Sequence, residues 1–304
     1  MSNAPQPSDQ LIKRIAKDIE QSGFPLEMHV LNVCSTKNTG RMPSVRYDYL
    51  DELREIDLLA FFETIANSHH TSTDLIIECK KATAKPWVFF STPSYRFDNV
   101  ASFLKYESDF DLYFKKHDMV SLLARIHPRI LGHYADPNVP RCITYCEAFR
   151  NDSRRSEIYD AIDSVITFLC YRRESRLKRL EDFGVFTEFY VPIIVVDGRL
   201  FEATVKPSEV SEVEVRERSH LQLRTFHRQD VYIIDVVTRD HFQQFFEELA
   251  KVHEQLALAI GSLRMPKLFR ETANARRKQK RQSFRMLSEL TILGVKTRRA
   301  RKAK

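Results

Sequence analysis

The fold is decided by two apolar stretches that each carry an acid where packing would favour an apolar residue: Arg54-Glu55-Ile56-Asp57-Leu58-Leu59-Ala60 and Asp74-Leu75-Ile76-Ile77-Glu78-Cys79-Lys80. Short runs rich in Leu and Ile predict β-strands. Side chains alternate along a strand, so Glu78 and Lys80 share one face while Cys79 points to the other. We therefore expect one face of a sheet to gather Asp57, Glu78 and Lys80.

The residues before these stretches favour two consecutive helices. Residues 9–22 place Leu and Ile on one side at helical spacing, with Ser8 or Asp9 as the cap and Gly23 as a left-handed stop. A second helix is predicted to follow at once over residues 25–37, because proline suits a first helical position. Two helices are therefore expected ahead of the first strand.

Three segments with strand character follow, at residues 43–50, 55–62 and 75–80. The polar residues between them suit turns, so the spacing predicts a meander. Residues 87–90 are a short apolar run that fits an extension of the sheet. Residues 91–150 mix short helices and loops, and they form an insertion whose arrangement the pattern does not give.

The second half of the chain alternates helix and strand. A long helix is expected over residues 154–182, followed by a hairpin, a strand and a last helix: 191–196 and 200–205 joined by Asp197-Gly198, then 231–237 and 241–263. Pro192 indicates that the first hairpin strand begins at a bulge or an edge. This order predicts an α/β domain over residues 1–265, in which a mixed sheet is flanked by helices.

Composition supports one large domain followed by a basic tail. The 304 residues are 43% apolar and 11% aromatic, which is enough to fill a core. The net charge is +7, but residues 266–304 hold 14 Lys or Arg against two acids, a net +12, which leaves −5 for residues 1–265. The tail, helical or disordered, is therefore the basic part of the chain.

Neither a membrane nor an oxidising compartment is indicated. No run reaches the ~18 consecutive apolar residues of a bilayer span, and the polar N-terminus lacks the apolar core of a signal peptide. The five cysteines are odd in number and widely spread, which favours reduced thiols. Cys142 and Cys146 lack the second Cys or His pair of a zinc site. We expect a soluble, cytoplasmic protein.

The acids of the two deciding stretches suit a hard divalent cation. Burying an isolated carboxylate is costly, so Asp57 and Glu78 need a cation, and oxygen ligands favour Mg²⁺. A bound Mg²⁺ can hold a phosphate oxygen and lower the pKa of a coordinated water. Lys80 can position that water or stabilise the phosphate. Glu27, in the first turn of the second helix, can supply another carboxylate.

Three motifs follow one another in a fixed order: Gly23-Phe24-Pro25-Leu26-Glu27, Arg54-Glu55-Ile56-Asp57 and Glu78-Cys79-Lys80. Their four acidic and basic positions, in this order, resemble the PD-(D/E)XK nuclease superfamily, which includes restriction endonucleases and Holliday-junction resolvases. Ile56 stands where the family pattern has proline. The resemblance covers residues 23–81. It implies a restriction-endonuclease-like fold and Mg²⁺ (or Mn²⁺) bound by Glu27, Asp57 and Glu78. It also implies phosphodiester hydrolysis, with DNA favoured as the substrate and Lys80 as a further catalytic residue.

Plainer explanations stand beside these roles. Glu78 and Lys80 also fit an exposed ion pair on a solvated face, and Asp57 fits the cap of a bend. Glu27 fits an ordinary acid at a helix N-terminus. Three further acids are alternative ligands: Asp48, Asp51 and Glu55.

Other polar groups are assigned to the surface or the core. His69 and His70 are predicted to lie in a polar surface turn. Tyr159 and Asp163, one turn apart on the long helix, either face the site or are taken up by core packing and solvent. The basic tail is expected to neutralise phosphates without reading bases, and these residues lead it: Arg276, Arg277, Lys278, Lys280 and Arg281. A solvated tail without a partner is the alternative.

These observations predict a metal-dependent nuclease acting on DNA. Two other classes of protein remain open: a catalytically silent nucleic-acid-binding module on the same fold, and an interaction protein whose charges are structural ion pairs. The chain has seven glycines and no Gly-rich phosphate loop, which argues against an NTP-driven enzyme.

Overall fold

A computed structural model describes ten parts of the chain: 8–36, 39–66, 69–91, 105–108, 139, 141–149, 156–177, 186–206, 209–224 and 231–262. Within these parts lie four α-helices and a nine-stranded mixed sheet, so the protein is α/β as the sequence predicts. Most of the insertion at 91–150 and the whole basic tail at 266–304, with its five named basic residues, lie outside the described residues.

The two N-terminal helices are confirmed, but the junction between them differs from the prediction. Helix α1 spans Asp9–Gln21, and its cap Ser8 accepts a hydrogen bond from the backbone N–H of Leu11 at 3.4 Å. Helix α2 spans Phe24–Cys34. The expected left-handed stop at Gly23 is wrong, since its φ is −73° and it caps α2 instead. The next helix starts so soon that the chain makes no left-handed reversal.

The predicted meander is confirmed, with longer strands than the pattern indicates. Strands β1 (Thr39–Tyr49), β2 (Glu52–Ala66) and β3 (His69–Ser91) pair antiparallel in sequence order. The predicted extension at 87–90 is the far end of β3 itself. The surface turn predicted at His69 and His70 is wrong: both lie in β3, and His69 is only 2% exposed.

A single strand replaces the hairpin predicted between 191 and 205. Strand β6 (Phe186–Lys206) runs parallel to β3 along nearly its whole length. Asp197 and Gly198 are opposite Lys81 and Ala82 of β3, and a Cβ on Gly198 would lie 2.6 Å from the carbonyl oxygen of Ala82. The glycine therefore serves a close approach of two strands and not a turn.

Pro192, predicted to mark an edge or a bulge, lies inside β6 opposite Ile76. On the other edge of β6, strand β4 (Lys105–Ser108) pairs with residues 187–190 and strand β9 (Val231–Thr238) pairs from Ile193 onward. Pro192 falls in the gap between these two ladders. A missing N–H at that position therefore costs the sheet little.

The remaining strands close part of the sheet on itself. Strand β5 (Arg141–Glu147) pairs with the end of β3, β7 (Glu209–Arg216) pairs with the end of β6, and β8 (Arg218–Arg224) joins β5 to β9. The pairings β3–β5–β8–β9–β6–β3 form a ring of five strands. The sheet is thus open at its β1–β2 end and closed at the other.

Helices cover both faces of the sheet and define two cores. Helix α3 (Glu157–Leu177) packs on one face, which we call the α3 face, with Ile76 and Ile194 among the strand residues it covers. Helix α2 and helix α4 (Phe242–Gly261) pack on the other, the α2/α4 face, against Ile77 and Ile193. Both clusters consist of apolar side chains, as expected for layers whose packing excludes water.

A buried histidine fixes α4, which follows a short 3₁₀ turn at Arg239–His241. The Nε2 and Nδ1 atoms of His253 lie 3.1 Å and 2.9 Å from the hydroxyls of Thr64 and Thr73. Burial lowers the pKa of His253 to about 4. The neutral ring therefore ties the helix to β2 and β3 at neutral pH.

None of the helices in the described ranges is both long and apolar enough to cross a membrane.

Candidate active site

The candidate site lies where β2 and β3 separate. Their ladder ends at the pair Leu58–Ile77, and the next residue on each strand is an acid, Asp57 on β2 and Glu78 on β3. Beyond this point, within the described ranges, that edge of β3 pairs with no other strand until Trp87, where β5 joins. The fork between the strands places two carboxylates at an opening in the sheet.

A distortion in β2 turns Asp57 toward this fork. Ile56 belongs to the core of the α3 face and Leu58 to the core of the α2/α4 face, although residues two apart normally share a face. The facing residue on β1, Ser44, has a positive φ of 48°. Both features mark an irregularity at Asp57, of the kind that re-aims a side chain.

The distortion places the Asp57 carboxylate level with the backbone of β3. Its Oδ2 accepts a hydrogen bond of 2.7 Å from the backbone N–H of Cys79. The expectation that Asp57, Glu78 and Lys80 all project from one face is therefore corrected. Glu78 and Lys80 share the α3 face, whereas Asp57 lies beside them at the edge of β3.

Glu78 is the most buried acid of the site, at 5% exposure. Its Oε1 accepts a hydrogen bond of 2.6 Å from the Nζ of Lys80, and its Oε2 has no hydrogen-bond partner among the described residues. Burial, with a further contribution from the charge of Asp57, raises the pKa of Glu78 to about 7. The exposed ion pair considered from the sequence is wrong, because this carboxylate is enclosed.

Lys80 keeps its charge in this setting. Burial by itself would lower the pKa of Lys80, but the carboxylates of Glu78, Asp57 and Asp160 outweigh burial and raise it. Its side chain is 28% exposed, so the ammonium reaches from the buried acids toward solvent. A cation that stays protonated at this opening can contact an anion that enters from outside.

Glu27 joins the group from the opposite side of the sheet. It lies in the first turn of α2, which packs on the α2/α4 face. Partial burial, followed by the charges of Asp57 and Glu55, raises its pKa, and the charge of Lys80 opposes this. The structure thus brings Glu27 into electrostatic contact with the fork. An isolated acid at a helix N-terminus would show no such coupling to Asp57.

Helix α3 contributes a second layer that the sequence pattern only partly indicated. Asp163 accepts a hydrogen bond of 3.0 Å from Arg54, whereas Tyr159 on the same helix is 47% exposed.

Tyr47 of β1 is buried, and its hydroxyl has no hydrogen-bond partner within the described residues. Burial raises the pKa of Tyr47 to about 12, and the charge of Glu78 contributes. No local sequence pattern predicts that Tyr47 belongs to the site, because it comes close to Glu78 only through the pairing of β1 with β2.

The alternative ligands predicted from the sequence lie outside this group or on its rim. Asp48 is exposed in β1, and Asp51 occupies the turn that follows. Glu55 is half-exposed and forms an ion pair of 3.0 Å with Arg46. Of the three, only Glu55 acts on the central acids, through its charge.

Whether a divalent metal ion fits this site depends on the oxygen donors that its side chains offer. In the described part of the chain, no three His, Cys, Asp or Glu side chains already form a metal-binding group. Asp57 and Glu78 are nevertheless carboxylates, the donors that Mg²⁺ prefers, and the free Oε2 of buried Glu78 requires a partner. We conclude that the donor set fits a hard cation, with Glu27 available as a further carboxylate.

No protein-family model matches the chain. No curated protein and no solved structure matches it either.

Proposed function

We propose that this protein is a metal-dependent nuclease of the PD-(D/E)XK type, which hydrolyses phosphodiester bonds in DNA. The observation that carries the proposal is the fork itself, where the buried, unsatisfied Glu78 meets Asp57, Glu27 and a charged lysine. Purely structural charges would be expected to satisfy one another. Here three acids share one lysine, burial raises the pKa of each acid, and the charge of Asp57 adds to the rise at Glu27 and Glu78.

The residues divide into ligands and one cation. Asp57 and Glu78, with Glu27, would hold Mg²⁺ or Mn²⁺ through their oxygens. When bound, the ion polarises a phosphate oxygen and lowers the pKa of a coordinated water. The backbone N–H of Cys79 holds Asp57 in place, so this proposed ligand is oriented by β3 itself.

Lys80 is assigned to the chemical step and not to metal binding, because an ammonium group is not a ligand. Lys80→Ala should reduce cleavage about a hundredfold or more while leaving the affinity for Mn²⁺ within a small factor of the wild-type value. Single-turnover cleavage and calorimetric titration with Mn²⁺ measure the two effects. Loss of Mn²⁺ binding together with cleavage would contradict this division of roles.

DNA binding would draw on the basic tail. Its five leading residues, which lie outside the described part of the chain, can neutralise phosphates without sequence preference: Arg276, Arg277, Lys278, Lys280 and Arg281. The body of the chain carries a net −5 and gains no long-range attraction to DNA by itself. The tail would supply affinity, and the fork would supply chemistry.

The proposal is tested by incubating the full chain with supercoiled, linear, single-stranded and branched DNA and with RNA, in Mg²⁺ or in EDTA. We expect at least one DNA form to be cut in Mg²⁺ and none in EDTA. Binding without cleavage on every substrate would favour the silent binding module instead. If the protein neither binds nor cuts any nucleic acid, the hypothesis that remains is an interaction protein whose charges are structural ion pairs.

A further inference from the structure

Helix α1 stands apart from the body of the protein. All 13 of its residues are exposed. It is joined to the rest of the chain by the short link to α2 and by a hydrogen bond of 2.6 Å that the Nζ of Lys81 donates to the backbone oxygen of Glu20. An isolated helix of this length is only marginally stable in water. We therefore expect a further surface to pack against it.

The apolar side chains of α1 form one continuous stripe. Four of them fall within an arc of about 100° on a helix of 3.6 residues per turn: Leu11, Ile12, Ile15 and Ile19. Each is between 46% and 51% exposed, and no described residue buries any of them. An exposed apolar surface of this kind marks an interaction site.

The charges beside the stripe make the helix complementary to a reversed copy of itself. Arg14 and Asp18 lie one turn apart along one edge of the stripe, and neither side chain forms an ion pair with another described residue. Two copies can pair antiparallel about a twofold axis that passes near Ile15. In that arrangement Arg14 of each copy lies beside Asp18 of the other. Leu11 of each copy then lies opposite Ile19 of the other.

The net charge of α1 argues against two other occupants of the stripe. Its charged residues are three bases and three acids, which cancel: Lys13, Arg14, Lys17, Asp9, Asp18 and Glu20. An anionic membrane surface binds amphipathic helices whose polar face is rich in Lys and Arg. The basic tail at 266–304, with a net +12, would meet no excess of acid on α1. A second copy matches both the stripe and the charges at its edge.

We propose that α1 pairs antiparallel with α1 of a second copy, so that the protein forms a homodimer. The apolar stripe forms the contact, and two Arg14–Asp18 pairs fix its direction. Because α1 leads directly into α2, which carries Glu27, the dimer would relate the two candidate sites by one twofold axis. The pairing itself does not depend on the proposed nuclease function.

Sedimentation equilibrium of the full-length protein in EDTA, without nucleic acid, tests the pairing over a series of concentrations. The average mass should rise from that of one chain toward that of two. Ile15→Glu, which places a charge in the stripe, should weaken association about tenfold or more. Gln10→Glu, which adds the same charge on the opposite side of α1, should leave association unchanged.

A charge exchange tests the antiparallel direction. Arg14→Glu and Asp18→Arg should each weaken self-association about threefold or more, since each change sets like charges against one another in the dimer. An equimolar mixture of the two variants should associate as the wild-type protein does, because both contacts between the unlike copies again join opposite charges. Mixing would not repair a loss of stability within the helix itself.

Three results would overturn the proposal: a wild-type protein that stays monomeric at every concentration, association that Ile15→Glu leaves intact, or a mixture that associates no better than the single variants. If the wild-type protein is monomeric and deletion of 266–304 speeds amide exchange in α1, the tail covers the stripe instead. The association is measured without metal or DNA, so its outcome is separate from that of the cleavage assay.

Discussion

Glu78 is hard to explain as a structural residue. If its ion pair with Lys80 existed to stabilise the fold, the ammonium would hold the pKa of Glu78 below its ordinary value. Burial and the charge of Asp57 instead raise that pKa to about 7, so the ionised carboxylate costs the folded protein free energy at neutral pH. An ionised carboxylate with such a free-energy cost is typical of a site that binds a ligand.

Glu78→Gln should therefore stabilise the metal-free protein at pH 8. The folded-state pKa of Glu78 is above its unfolded value, so the wild-type protein gains stability as pH falls through 7 toward 4.5 and loses it as pH rises. Gln mimics the protonated acid at every pH. The gain in unfolding free energy should be on the order of 1–3 kcal/mol at pH 8 and should vanish near pH 4.5.

Denaturant titration in EDTA at several pH values measures this gain, with Glu254→Gln, an exposed acid on α4, as the matched control. Mg²⁺ should then reverse the order at pH 8, because it stabilises the wild-type protein and finds one ligand fewer in the variant. A Glu78→Gln protein that is less stable than the wild type at pH 8 in EDTA would show that the ion pair with Lys80 holds the fold.

The turn between β1 and β2 has a backbone conformation that its two central residues disfavour, so substitutions there can stabilise the fold. Leu50 and Asp51 have φ of 54° and 63° between the paired residues Tyr49 and Glu52, which is the geometry of a two-residue hairpin that favours Asn-Gly. Leu50 is 79% exposed and packs little. The double change Leu50→Asn with Asp51→Gly should therefore raise stability by roughly 1 kcal/mol and Tm by about 2 °C or more.

Thermal unfolding checks this expectation, with Leu53→Asn as the control. Leu53 is also exposed, at 71%, but it lies in β2, where asparagine cannot stabilise a turn. An unchanged or lower Tm for the double variant would mean that the turn does not limit stability.

The order of elements follows from local patterns, because the meander and the helices α1, α2 and α3 repeat apolar residues at their own periods. The lengths of β3 and β6 do not follow from these patterns. Polar segments such as His69-His70 and Asp197-Gly198 carry turn signals, and long-range pairing overrides them. The local rule fails where two strands of more than twenty residues lie side by side.

The four residues of the candidate site stand out in the sequence because three acids interrupt apolar runs and Lys80 follows one of these acids at a spacing of two. Their arrangement could not be derived in the same way. The distortion at Asp57 shifts the alternation of β2, and it lies opposite Ser44 of β1, whose φ is positive, at a point where the register skips one residue on each strand. The place of Tyr47 near Glu78 depends on contacts between distant elements, which a periodic pattern does not record.

At the scale of the whole molecule, charge is divided between an acidic body and a basic tail. Residues 266–304 carry a net +12 and residues 1–265 a net −5. If the tail binds phosphates, deleting 266–304 should weaken DNA binding and flatten the slope of log affinity against log salt by about 0.9 for each phosphate that is no longer neutralised. Cleavage at saturating DNA should persist, because the proposed ligands all precede residue 81.

Filter binding or fluorescence anisotropy with one duplex at four salt concentrations gives both slopes. A full-length variant with Gln at Arg276, Arg277 and Lys278 serves as an intermediate, and its slope should fall between those of the full-length and truncated proteins. Equal slopes for the full-length and truncated proteins would show that the tail does not bind DNA. The truncation leaves α4 whole, since that helix ends at Gly261.

We propose above that the fork between β2 and β3 is a metal-dependent nuclease site. It is tested most directly by the rate at which the wild-type protein, Asp57→Asn and Asp48→Asn cut the preferred DNA at saturating Mg²⁺. Asp48 is an exposed acid on β1 and serves as the control. We expect wild-type cleavage for Asp48→Asn and a loss of about a hundredfold or more for Asp57→Asn. Cleavage by Asp57→Asn at the wild-type rate would contradict it.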